Sequence, residues 1–307
     1  VHAALLVSDD GRLRLAAQDA LATGERPPLH TLLIGLVLVA LGGLLLGVVL
    51  LLPATLAEVA SQRLVAALLA SGAVARVLIE GRLVEMGIGY QLTRYADELL
   101  MPRYGAGTTT LHHLVFQVFG ADHDVMIWTH RVLGIATLPL AYAAGMAFMA
   151  RLQRPLAWLG PAWALALAWT PILLKSDATE SNLVPVLFAL WLALLAWQRL
   201  SGPLGTLVTL SGLAFVVLSR PEMAAIGPGI WLALGRPWES WSRSAWVVVP
   251  LAAVMVAQLI FVQQVVDWEM GVQSLHLNKA ITWERVLEVL ANNALLDPRL
   301  VPTLIVP

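Results

Sequence analysis

The sequence predicts an all-α fold: a polytopic bundle of about 8–9 transmembrane helices, with amphipathic surface helices in its first non-cytoplasmic loop. Three observations predict it. First, 59% of the 307 residues are hydrophobic and only 13% are charged, where soluble domains carry about 25% charged residues. With a mean hydropathy of +0.77, the chain has more apolar surface than one water-soluble core can hide. Second, apolar runs of bilayer length recur between short polar segments. Third, one long polar stretch, residues 80–124, is held between such runs.

Composition also excludes some functions. A net charge of −1 leaves no basic footprint for nucleic acid. With no cysteine there is no disulfide, thiolate metal site or thiol nucleophile. The chain opens at Val1 and ends at Pro307 inside an apolar run, which reads as a fragment open at one or both ends.

The elements follow in order. Residues 1–28 are mixed polar and close on the breaker GERPP; they lack the charged n-region and short apolar core of a signal peptide. Residues 29–55 hold an extra N-terminal span, 29–52, ended by Pro53. Residues 56–266 form the core. Its first span, 56–79, carries Arg63 at its start and Arg76 near its end, where an interface tolerates them. In the polar stretch, 85–100 has helical spacing of Met86, Tyr90, Leu99 and Leu100; 103–110 (RYGAGTTT) reads as a loop; 111–119 is a short apolar helix closed by Gly120. Further spans are expected at 125–150, 156–174, 183–200, 204–219, 223–235 and 245–266, the short 223–235 interrupted by Pro228. Residues 267–307 are polar and then begin another span near 300.

Arg151 and Arg154, Arg199, then Arg236 and Arg243 fall in alternate short loops, which places those loops in the cytoplasm. The polar clusters fall on the other side: 80–124, 175–182, 220–222 and 267–296. Scattered structural charges do not segregate in this way.

Each cluster has a chemical and a bland reading. Glu80 and Glu85 are five apart and do not share a helix face, so one of them faces a reacting group or both are solvated. A carboxylate beside apolar helices has a raised pKa and suits a general base. His112 and His113 diverge by about 100° on a helix, which makes them poor joint metal ligands. One can hydrogen-bond a phosphate or sugar hydroxyl while the other faces water; capping is the alternative. In KSDATES, Asp177 and Glu180 share a helical face beside Lys175, as a second acidic cluster or an ordinary interfacial loop. Arg220, flanked by Pro221 and Glu222 between two apolar segments, is costly there unless it pairs or binds; it suits a phosphate. Arg131 is a second such candidate.

Five stretches together resemble the GT-C type membrane glycosyltransferases, the protein O-mannosyltransferase and aminoarabinose transferase kind (family 39-like). EMGIGYQLTRYADELL resembles that family's acidic DE-x-x-Y-x-x-x-A-R stretch. PRYGAGTTTLHHLVFQVFG resembles its Tyr-Gly and His loop running into an apolar helix, and HRVLGIATLPLAY its Arg-led span. KSDATESNLVPVLFALWLALL and LSRPEMAAIGPGIWLAL match later segments, so the resemblance covers about residues 56–235. The chain departs from the family in Glu85-Met86 for Asp-Glu, in Thr109-Thr110 for Pro-Pro, in the extra span 29–52, and in lacking the later spans.

The resemblance implies a bacterial inner-membrane enzyme whose site faces the periplasm or exterior. It implies a polyprenyl-phosphate-sugar donor and an acceptor hydroxyl on a glycan, lipid or protein. Glu85 or Glu80 is then the base. Glu180 or Asp177 orients the acceptor or a cation. Arg220, Lys175 and Arg131 offset phosphate charge, with Glu222, His112, His113 and Tyr104 at the substrate. The metal is left open: no ligand set is evident, and relatives differ over a divalent cation. The alternatives are a transporter or flippase of a lipid-linked sugar, for which a midplane cavity and repeated halves are expected, and a non-catalytic membrane protein.

Overall fold

The computed structural model describes residues 28–78, 106–120, 122–152, 158–170, 183–219 and 223–269. Among these the fold is helical, without strands. The helices are α1 (Pro28–Ser61), α2 (Arg63–Leu78), α3 (Ala106–Phe119), α4 (His123–Arg151) and α5 (Leu159–Trp169). They continue as α6 (Leu183–Arg199), α7 (Gly202–Ser219), α8 (Met223–Gly235), a 3-10 turn (Pro237–Glu239) and α9 (Trp241–Glu269). The chain divides into two units, residues 27–262 and residues 1–26 with 263–307. Of the second unit only 263–269, the last turns of α9, is described.

Four helical stretches are long and apolar enough to cross a membrane: Leu32–Ser61, Asp124–Arg151, Gly202–Ser219 and Trp241–Ile260. Shorter apolar helices are Leu159–Trp169, Leu183–Arg199 and Ile226–Gly235. Large apolar side chains also cover the outside: Val39, Leu45 and Val49 on α1 and Trp246 and Val249 on α9 are each more than 60% exposed. In water such a surface is an aggregation liability; against acyl chains it costs nothing. The chain is thus compatible with an integral membrane protein.

Two helix boundaries differ from expectation. Pro53 does not end the first span: α1 runs 34 residues with Pro53 inside it and breaks at Gln62. A proline removes one intrahelical bond and pushes on the carbonyl four residues back, but within a membrane bundle neighbouring groups make that tolerable. The break between α1 and α2 falls at Gln62. Likewise 106–110 is not loop but the first turns of α3. Its small residues permit close contact there: a Cβ on Gly107 would come within 2.5 Å of Ser219 Oγ and 3.0 Å of the Ser219 nitrogen. Pro139, Pro228 and Pro250 also lie inside helices, so 223–235 is one helix and not a broken one.

Close approaches fix the packing. α7 lies antiparallel between α6 and α1: Gly212 faces Ala189 and Ala193, Gly43 faces Ser211, and Gly47 faces Val208 and Leu192. Gly72 of α2 lies against Ala168 of α5 so tightly that a Cβ would sit 2.7 Å from the Ala168 Cα. Around this contact a core of Val65, Leu69, Leu138, Tyr142, Ala164 and Leu167 is buried.

These contacts set the two ends of the bundle. At one, Arg199 pairs with Glu58 at 2.6 Å, and Arg236 with Glu239 at 2.9 Å. Arg151 reaches Glu239 at 4.0 Å and the Gln198 carbonyl at 3.4 Å. Arg243 donates to the Trp197 and Leu200 carbonyls at 3.2 and 2.8 Å, and lies 4.1 Å over the Trp197 ring. A cation there satisfies carbonyls that α6 leaves without intrahelical partners. Of the arginines expected in alternate loops, Arg151, Arg199, Arg236 and Arg243 thus meet at one end, and Arg154 lies outside the described residues. At the other end lie the end of α2, the starts of α3 and α6 and the end of α7, which flank segments 79–105, 171–182 and 220–222.

Candidate functional site

Glu80, Glu85, Tyr104, Lys175, Asp177, Glu180, Arg220 and Glu222 lie outside the described residues, as does the expected helix at 85–100. His112, His113 and Arg131 are described, and they belong to the hairpin of α3 and α4.

The hairpin has a definite turn chemistry. Gly120 takes φ +89, a left-handed conformation that suits glycine, and its N–H donates to the Phe116 carbonyl at 2.9 Å. Asp122 then caps α4, its Oδ1 accepting from the Asp124 N–H at 3.0 Å. Asp124 stands in the first turn, where the helix dipole favours an anion. These two acids of the polar stretch therefore have an architectural role.

His112 on α3 and His130 on α4 are equally far along the chain from position 121, so the antiparallel hairpin brings them level. Their Nε2 atoms are 3.0 Å apart, and both residues are buried. The rings are nearly parallel, at 11°, with centroids 5.2 Å apart. That separation is close to the nitrogen gap plus one ring radius on each side, so the imidazoles meet edge to edge and not face over face. One Nε2 must donate and the other accept. The Thr108 backbone also hydrogen-bonds His112. Burial pushes the His112 imidazole down to about 4, against a weaker upward pull from that backbone bond; α3 is not among the four long spans.

Of the two histidines expected near a phosphate or sugar, His112 is buried against His130. His113 is only partly buried, in keeping with the divergence of neighbouring side chains. Among the described residues no group of three or more His, Cys, Asp or Glu side chains is placed to hold a metal ion. Arg131, beside His130, is partly buried, its guanidinium carbon 4.9 Å from the half-exposed Trp128 ring centroid. His130 went unread in the sequence because it opens a long apolar span. Its signal is its register with His112 across Gly120.

Arg76 is a second residue misplaced by the sequence. Instead of reaching an interface, it is buried, 1% exposed, between α2, α4 and α5. Its Nη1 donates to the Gly72 carbonyl at 2.8 Å and to the Ala168 carbonyl at 3.4 Å. Its Cδ and Nε pass 3.7 Å from where a Gly134 Cβ would be, next to Val184 at the start of α6. Gly134 is one turn along α4 from His130, on the same face. The histidine pair and the buried arginine are thus placed in succession along one side of α4.

Comparison with protein families, with curated proteins and with solved structures finds no match.

Proposed function

We propose that the chain is an integral membrane glycosyltransferase of GT-C type, with about 8–9 spans across a bilayer some 30 Å thick. It moves a sugar from a polyprenyl-phosphate donor to an acceptor hydroxyl on the non-cytoplasmic side of a bacterial inner membrane. One observation carries this reading: Arg151, Arg199, Arg236 and Arg243 gather at one end of the bundle, away from the helix ends that flank the acidic loops. The helix ends flanking 79–105, 171–182 and 220–222 lie at the other, next to the histidine hairpin. A one-sided polar face suits a reaction between a membrane-anchored donor and a water-borne acceptor.

In the reaction the acceptor oxygen bonds to the anomeric carbon as the bond from that carbon to the phosphate oxygen breaks. The acceptor proton passes to Glu85 or Glu80. Polyprenyl phosphate leaves as an anion and needs charge stabilisation more than protonation, a role for Arg220, Lys175 and Arg131. Glu180 or Asp177 orients the acceptor. Membranes holding the protein, given labelled polyprenyl-phosphate sugars, test this. Loss of the base is expected to slow transfer about 10²–10⁴-fold in either Glu85→Ala or Glu80→Ala. Full transfer by both variants removes the assignment.

A further inference from the structure

We infer that Arg76 is an anion-binding residue whose ligand is a phosphate group. This does not rest on the sugar-transfer reading. The guanidinium is 1% exposed, and Nη1 alone is engaged, on two main-chain carbonyls. Nε and Nη2 are buried and donate to no acceptor, and no carboxylate among the described residues pairs with the side chain. A buried guanidinium without a counter-ion is expensive and is found where it pairs or binds.

The geometry selects the ligand. Nε and Nη2 form one straight edge of the guanidinium, and their parallel N–H groups match two oxygens of a phosphate. The carbonyls of Gly72 and Ala168 hold the opposite side, fixing the plane before any ligand arrives. Gly134 presents no side chain to Nε on the α4 side. Arg76 is two residues from the end of α2, so a headgroup entering from that end has less than one helical turn to travel.

The phosphate can come from a lipid headgroup or from solution. Full-length protein is reconstituted in nanodiscs of phosphatidylcholine with and without phosphatidic acid, and separately titrated with inorganic phosphate, with thermal stability and bound lipid by native mass spectrometry as readouts. Wild type is expected to be stabilised by at least one probe. A response to phosphatidic acid alone identifies a lipid headgroup, and a response to inorganic phosphate identifies a soluble anion. Arg76→Met is expected to weaken binding at least tenfold. Arg76→Lys keeps the charge but not the fork, and a fivefold or greater loss is expected; it decides the matter if Arg76→Met does not fold. A wild type indifferent to both probes, as when a carboxylate of this chain already holds Arg76, overturns the inference. So does unchanged affinity in the folded variants.

Discussion

At the residue scale the histidine pair is the most informative feature. His112 is held neutral by burial, with a folded value near 4 against about 6.5 in an unfolded chain. The unfolded state therefore binds more protons between these values, and stability falls as pH drops through that window. Above pH 6.5 the contribution is complete; by pH 4 the loss is on the order of 3 kcal/mol. Thermal unfolding in detergent between pH 7.5 and 4.5 is expected to show this decline, with a shallower slope in His112→Gln. An unchanged slope in that variant means His112 does not titrate between the two states. His130 was not legible in the sequence, because a lone histidine in an apolar run has no local signature; only the fold supplies its partner. Arg76 was visible, but its position near a helix end made a snorkelling side chain the natural expectation. The contact with Ala168, far along the chain, decided otherwise.

At the element scale, packing depends on where helices lack side chains. Gly72→Ala puts a methyl group against the Ala168 backbone, which has no rotamer to yield, and is expected to destabilise by about 1–3 kcal/mol. Gly35→Ala meets nothing within 4 Å and is expected to be neutral or to stabilise by up to about 1 kcal/mol. Equal shifts in melting temperature for the two variants would remove the close contact from the account. The helices themselves were largely legible: α4, α6, α7 and α8 lie within a few residues of the apolar runs, because hydrophobic length is a local property. Their ends were less so. The proline in α1 and the glycine-threonine run opening α3 both carry breaker chemistry, and tertiary contact overrides it.

At the scale of the whole molecule, the gathering of Arg151, Arg199, Arg236 and Arg243 at one end was what the sequence carried best, since loops alternate between sides whatever the packing. The acids named as catalytic lie outside the described residues, so their meeting is a matter for the transfer assay. Orientation can be tested directly, because the chain has no native cysteine. Gln117→Cys on the hairpin and Ser201→Cys between α6 and α7 are both exposed positions at opposite ends. A membrane-impermeant maleimide applied to intact spheroplasts is expected to label the first, and the second only after permeabilisation. Labelling of both from one side would contradict a bundle whose two ends face different compartments.

The length of α1 has a mechanical consequence. At 34 residues it measures about 50 Å, against a hydrocarbon slab of about 30 Å. Any excess of its apolar stretch over the slab is relieved by leaning or by local thickening of the lipid, at a fraction of a kcal/mol per Å. Because α1 is clamped to α7 through Gly43 and Gly47, it cannot lean without carrying α7 along. Acyl-chain length should then act as a dial on the tilt of the whole helix pair.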